Sequence, residues 1–423
     1  MSVGSHQTAT FGLAKELSKK GHKVTYAGAE LGIYEEDLSA NAISQGFHYE
    51  KLDLFGYTEV FKDSNQLSHA KFLLINLAKN LFEGEILSKF IARTQPDMIL
   101  LDIHLPIYAI AFYPSGIPLV FLSTELSTDQ NSFNPPISSS MIPTSTCDHQ
   151  LTVEIDNAWA QYLKINKLHP AVKYLVEELS KENDFPIDKY YTEKCIVLFG
   201  LKLPELILWP CEFEFNEGIS LLPKRYYVGD CVDIDRNEPD MDWSAIDSHQ
   251  PIIYCSLGTI VDDPFLISFL KRLIIVFGTM SDYQFILSAG KVYDQLNDVV
   301  SGYHENIHTF KSVPQMRVLN KACLMITLAG GNSIKEAILM GVPLLCYPFT
   351  SDQFGNAARI VYHRLGLRGD IGKDSLESIR NKIKEVIHNG DFTARVNDFI
   401  EIFKAYKRNS VALSTLESLA KIQ

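Results

Sequence analysis

Apolar residues along the first half of the chain follow two alternating rhythms, short unbroken runs and a helical three-to-four spacing. Between Thr8 and Lys20, Phe11, Ala14 and Leu17 fall on one side of a helix that stops at Gly21, a residue suited to a left-handed cap. Lys23 to Ala27 then reads as a strand. Met98 to Leu101 and Leu119 to Leu122 repeat that character, with Gly116-Ile117-Pro118 as the turn between helix and strand. Such alternation predicts a parallel sheet covered by helices. Two longer stretches, 52–90 and 123–190, are less regular and carry Phe55, Tyr57, Phe61, Phe72, Phe82, Phe133 and Trp159. Aromatics of this kind either fill a core or line an apolar pocket, and their spacing leaves both open.

From Gly229 to Gln250 the pattern turns polar and turn-rich, with Asp233-Ile234-Asp235-Arg236-Asn237-Glu238-Pro239-Asp240 at its centre, as an interdomain linker would be. The alternation then restarts. Ile252 to Ser256, Gln284 to Ser288, Leu324 to Thr327 and Leu344 to Tyr347 read as strands of a second doubly wound unit. The expected class is therefore α/β with two Rossmann-like domains, residues 1–228 and 251–405, joined by 229–250. A last helix over 406–423, with Val411, Leu416 and Leu419 apolar, is expected to pack back on the first domain. No repeat or low-complexity tract interrupts the order.

Composition narrows the function. At 423 residues the chain exceeds a typical single core, and 46% hydrophobic against 21% charged residues is the balance of an ordinary globular protein. The net charge of −12, spread along the chain, argues against a nucleic-acid partner. The assembly expected is a monomer or weak dimer. Seven cysteines, at 147, 195, 211, 231, 255, 323 and 346, form no Cys-x-x-Cys pair and no zinc spacing, and read as reduced thiols of a cytoplasmic protein. The longest apolar stretches, such as Leu273 to Phe277, fall far short of the roughly 20 residues that cross a bilayer, and Met-Ser-Val-Gly-Ser-His has no signal-peptide character.

Chemistry concentrates in the second half. The strand Leu324 to Thr327 runs into Leu328-Ala329-Gly330-Gly331-Asn332-Ser333 and a helical segment that ends at Gly341. Two glycines let backbone approach a ligand, and the exposed amides and dipole of a helix start suit a phosphate. A tight connection would look the same, and the absence of Gly-Lys-Ser/Thr excludes a P-loop. Glu336 follows Ser333 by one turn, where a carboxylate can take both ribose hydroxyls or simply face solvent. Asp352-Gln353 lies past a strand and the Pro348 turn, at a carboxyl edge suited to sugar hydroxyls. No strand leads into Gly-x-Gly-x-x-Gly, which disfavours a nicotinamide-dependent oxidoreductase.

Val313-Pro314-Gln315, Asn332-Ser333, Glu336, Gly341-Val342-Pro343, Pro348, Asp352-Gln353 and Asn356-Ala357, in this order over nearly fifty residues, resemble the donor signature of the UDP-glycosyltransferase superfamily, among them bacterial macrolide and natural-product glycosyltransferases. The resemblance implies the GT-B fold, two facing Rossmann-like domains with the active site between them. It also implies a nucleotide-sugar donor and a lipophilic small-molecule acceptor. The transfer it implies is a single inverting displacement of a hexose, glucose for preference, without a bound metal. Ser256-Leu257-Gly258-Thr259 resembles the turn opening the C-terminal domain of that family, so Ser256 and Thr259 are implied donors to the nucleotide sugar, together with Val313, Gln315, Gly330, Gly331, Asn332, Ser333, Glu336, Asp352 and Gln353. His6 precedes Leu13-Ala14 at the spacing of the family's catalytic His, and Asp102 matches the Asp that orients it, with His104 a competitor nearby. Such a pair fits the chemistry, because a neutral imidazole accepts the proton and the carboxylate stabilises the imidazolium.

Three features depart from the family pattern. Leu328 stands where most members have a His that donates to the diphosphate, and Ser312 where a Trp stacks on the base. Only five residues precede His6, so the central strand that opens such a domain is expected to be missing, as a truncated gene model or a late start codon would leave it. These departures keep a second reading open, a catalytically silent homologue that binds nucleotide or a partner.

Overall fold

The carboxyl half shows most directly how the sequence builds a parallel sheet. The computed structural model describes residues 4–29, 38–52, 85–126, 129–131, 134–143, 149–165, 170–191, 201–215, 223–247, 249–258, 263–300 and 305–422. Numbering strands through these residues, the amino half holds β1 (Thr25–Ala29), β2 (His48–Leu52), β3 (Ile99–Asp102), β4 (Leu119–Ser123), β5 (Glu205–Ile207) and β6 (Arg225–Tyr227). The carboxyl half holds β7 (Ile252–Ser256), β8 (Gln284–Ser288), β9 (Ile307–Phe310), β10 (Ala322–Thr327), β11 (Leu344–Cys346) and β12 (Gly366–Arg368). In β7 every residue is buried, as a strand covered on both faces must be, and that is why its sequence is a run rather than an alternation.

The six carboxyl strands form one sheet in the order β12-β11-β10-β7-β8-β9, all parallel. The order reverses between β7 and its neighbour β10, and a crevice at the carboxyl ends of such a pair is where doubly wound sheets bind ligands. Ser256 ends β7, and Leu328 follows β10 directly. On one face the helix Pro264–Phe277, capped by Asp263 accepting from the Phe265 amide at 2.7 Å, packs Leu266, Phe269, Leu270 and Leu273 against the sheet.

In the amino half β3-β4-β5-β6 form a parallel four-stranded sheet and β1-β2 a separate parallel pair. Among the described residues no strand precedes His6, which lies in the short helix Gly4–Thr8. The helix Phe11–Lys19 follows, and Gly21 beyond it takes φ +92°. The last helix, Val411–Ile422, sets Ala412, Leu416 and Leu419 against Leu13, Val120, Leu122 and Leu206. Before it the helix Gly390–Arg408 runs on past residue 405. Trp159 is wholly buried and donates its indole N–H to the Asn134 carbonyl at 2.7 Å, so it is core rather than pocket lining. Phe55, Tyr57, Phe61, Phe72, Phe82 and Phe133, with Cys147 and Cys195, lie outside the described residues. The other five cysteines are free thiols.

One apolar cluster crosses from half to half. Leu126, Ile137, Ile207, Trp209 and Phe213 share it with Ile334, Ala337, Ile338, Ile360 and Phe399. The two parallel α/β units are thereby held against each other through a common interior.

Candidate active site

His6 and Asp102 meet although 96 positions separate them. Asp102 ends β3 and is buried, and its carboxylate lies 3.0 Å and 3.3 Å from Nδ1 of His6. Burial works against the charge on Asp102, but the charge and hydrogen bond of His6, with His104 behind them, hold the carboxyl far below the usual range. The backbone N–H of His104 adds a bond to the same carboxylate at 3.0 Å. An acceptor fixed on Nδ1 leaves Nε2 of His6 as the basic nitrogen, which is the tautomer a general base requires.

His104 is engaged elsewhere. Its Nε2 lies 3.1 Å from Glu125, and its ring centroid is 4.8 Å from that of His6. Desolvation opposes its protonation, yet the hydrogen bond and charge of Glu125, followed by Asp102 and Asp352, push it up to about 9. His104 is thus a standing cation rather than a rival base. Glu125 was not a sequence candidate. Its position two residues past β4, at a carboxyl edge, is the signal that points to it. Ligand atoms of His6, Asp102 and His104 lie within 4.8 Å of one another, a spacing that a divalent cation could use. Metal binding needs neutral imidazoles, and the proton held on His104 opposes it.

The helix Gly331–Leu339 faces this cluster. The turn that leads into it is built residue by residue. The left-handed residue of the turn is Ala329, at φ +68°, while Gly330 is extended. A Cβ on Gly331 would stand 3.1 Å from the ring of Trp209, tighter than an ordinary contact, so the glycine lets the helix start lie close on that ring. Asn332 donates to the Ser5 carbonyl at 2.6 Å, which ties the helix start to the segment bearing His6. Asn356 fastens the turn to the next loop, donating to the Ala329 carbonyl at 3.0 Å and to Asp352 at 2.8 Å. Burial, and then repulsion from Glu125, push the Asp352 carboxyl up to about 7 against the opposing Asn356 and His6. Gln353 turns its side-chain oxygen onto the amides of Phe349 and Thr350.

The remaining donor candidates are placed as follows. Ser256 is buried at the end of β7, Val313 is buried in the turn between β9 and the helix Gln315–Leu319, and Thr259 lies outside the described residues. Gln315 accepts from the Tyr254 hydroxyl at 2.8 Å and donates to Glu336 at 2.7 Å. Glu336 also receives both terminal nitrogens of Arg236, at 2.6 Å and 3.0 Å, a partner the sequence did not announce. Leu328 is buried in the apolar cluster of the carboxyl sheet, and Ser312 is exposed.

A family model described as "UDP-glucoronosyl and UDP-glucosyl transferase" matches residues 5–416. The chain belongs to this UDP-glycosyltransferase family. Among curated relatives, UDP-glucuronosyltransferase 1A5 of Rattus norvegicus is 23% identical over 98% of this chain and 77% of its own length. The uncharacterized UDP-glucosyltransferase YojK of Bacillus subtilis (strain 168) is 21% identical over 95% of this chain and 91% of its own. A solved structure, the glycotransferase of kitacinnamycin, superposes with a TM-score of 0.71 at 17% identity, covering 99% of this chain and 97% of that one. The fold of this UDP-glycosyltransferase is accordingly GT-B, and its activity is sugar transfer from a UDP-sugar to an acceptor. No described helix is long and apolar enough to cross a membrane.

Proposed function

We propose that the protein is an inverting glycosyltransferase that moves a hexose, glucose for preference, from a UDP-sugar to a hydroxyl of a lipophilic small molecule. The observation that carries this is the His6–Asp102 pair, 3.0 Å apart, beside the helix start whose Asn332 reaches back to Ser5. Base and leaving-group site thus face each other across the halves. His6 takes the acceptor proton at Nε2 while Asp102 holds its tautomer. The acceptor oxygen bonds the anomeric carbon from the side opposite the diphosphate, whose bond to that carbon breaks. Negative charge then grows on the leaving diphosphate, where the amides and dipole of the helix starting at Gly331, with Asn332 and Ser333, stabilise it without needing a metal.

Val313 and Gln315 border the base in this reading, Glu336 meets the ribose, Asp352 and Gln353 meet the sugar, and Ser256, Thr259 and Gly330 complete the phosphate surround. The two halves act as acceptor and donor domains joined across 229–250. The rat and Bacillus relatives, a glucuronosyl and a glucosyl transferase by name, support a hexose-derived sugar. The test is release of UDP from UDP-glucose by the purified protein across a broad panel of phenolic acceptors. Release that depends on acceptor is expected. Its absence with every UDP- and dTDP-sugar would overturn the reading.

A second reading is favoured by Leu328, whose side chain is committed to the sheet core where a diphosphate donor is expected. In it the protein binds nucleotide and transfers nothing. Tight UDP binding by calorimetry, with no turnover, would decide for it.

A further inference from the structure

Glu336 is the carboxylate assigned above to the ribose, and it is already well supplied. Arg236 reaches it from the segment between the two halves, Nη1 to Oε1 at 2.6 Å and Nη2 to Oε2 at 3.0 Å, and Gln315 adds a third bond to Oε2 at 2.7 Å. A carboxylate accepts about four hydrogen bonds, two on each oxygen. Among the described residues three of these places are filled, and one, on Oε1, is left. Arg236 is not a loose side chain that happens to lie there. Its Nη2 also bonds Glu238 at 3.0 Å, and Glu238 in turn accepts the backbone amides of Met316 and Arg317 at 3.0 Å and 3.3 Å. A guanidinium held bidentate by one buried carboxylate and steadied by a second is among the more rigid polar arrangements a protein makes.

The consequence concerns the donor nucleotide. A site rejects an analogue that lacks a hydroxyl because a buried polar group of the protein is then left unpaired. Here Glu336 has one vacancy for two neighbouring hydroxyls, and either of them fills it. Removing the 2′-hydroxyl leaves no acceptor unpaired. We propose that Arg236, by occupying Glu336, makes the donor site indifferent to the ribose 2′-hydroxyl, so that 2′-deoxyribonucleotide diphosphate sugars are accepted alongside ribonucleotide ones. This rests on the assignment of Glu336 to the ribose. It adds to that assignment a named determinant and a wider donor class.

Calorimetric titration of the full chain with UDP and with 2′-deoxy-UDP tests it, because the two probes share base and phosphates and differ only at the hydroxyl in question. The wild-type dissociation constants are expected to agree within about threefold, and Arg236→Ala, which frees two further acceptor places and so leaves room for both hydroxyls, to prefer UDP by about tenfold, the worth of one further bond to a charged group. Glu336→Gln is expected to weaken both nucleotides by the same factor, and it keeps the question decidable if Arg236→Ala does not fold. A wild-type preference for UDP of more than about tenfold, an unchanged ratio in folded Arg236→Ala, or a loss in Glu336→Gln confined to UDP would overturn the inference and leave the donor reading standing. Failure of the wild type to bind either nucleotide would overturn both.

Discussion

At the scale of single residues, the site separates two histidines that the sequence offers side by side. His6 has its Nδ1 against Asp102, whereas His104 is bound to Glu125. Asp102→Asn replaces an acceptor by a group that can present N–H to Nδ1, so the imidazole loses both its tautomer and its counter-charge. Turnover is expected to fall by about 10²- to 10⁴-fold, the span of general acid–base catalysis, with UDP affinity unchanged by calorimetry. An equal loss in UDP affinity would place Asp102 in donor binding instead. His104 carries a pH signature of its own. Its folded pKa stands at about 9 against an ordinary 6.5, so between those values the folded chain binds the extra proton. The stabilisation from the His104–Glu125 pair is therefore complete below the lower value and lost as pH rises through the upper one. Thermal melts from pH 6.5 to 9 should show the midpoint of His104→Gln falling less steeply than that of the wild type, and parallel slopes would refute the charged state of His104.

At the scale of elements, the helix Gln353–Tyr362 shows how closely an element of the carboxyl half docks on the amino half. Gly355 donates its amide to the Ile137 carbonyl at 2.8 Å, and a Cβ on Gly355 would stand 2.1 Å from that same oxygen. Backbone cannot yield as a flexible side chain can, so Gly355→Ala is expected to cost about 1–3 kcal/mol by overpacking, read as a lower denaturant midpoint. A midpoint equal to wild type would mean that the segment around Ile137 moves aside freely. Elements of the carboxyl half were legible in the chain because their strands are buried on both faces. Ile252–Ser256 and Gln284–Ser288 fall where the apolar runs lie. The short strands Glu205–Ile207, Arg225–Tyr227 and Gly366–Arg368 escaped, since three residues carry no period and Glu205 and Arg225 set ionisable side chains inside the sheet of the first two. The strand-to-helix turn at Gly330-Gly331 was legible in the chain, but the crowding at Gly331 was not, because its cause is Trp209, more than a hundred positions away. Arg236 was hidden for the same reason. Within a polar linker nothing local distinguishes the one arginine that reaches Glu336 from a solvated charge.

At the scale of the molecule, the halves share interior rather than merely touching. Lys335, wholly buried on the helix Gly331–Leu339, lies over the Trp209 ring at 5.1 Å and donates to the Leu208 carbonyl at 3.2 Å, while burial pulls its ammonium down to about 8. Nearby, Arg359 from the carboxyl half pairs with Glu214 from the amino half, both almost without solvent exposure, and Tyr227 donates to the other oxygen of Glu214 at 2.9 Å. Arg359 also lies over the Phe215 ring at 4.4 Å and donates to the Gly355 carbonyl at 3.1 Å. Such a pair adds little relative to well-packed apolar groups, but removing one partner strands the other charge in the interior. Arg359→Met is accordingly expected to destabilise by about 3–5 kcal/mol, and the double variant Glu214→Gln with Arg359→Met by less than Arg359→Met alone, since no uncompensated charge remains. Because the apolar cluster runs through both halves, the wild type and Arg359→Met should each melt in one calorimetric transition, the variant's displaced to lower temperature as a whole. If each half kept its own core and the pair were only a strap between them, the variant would show two transitions with one of them unmoved, and the double variant would recover nothing.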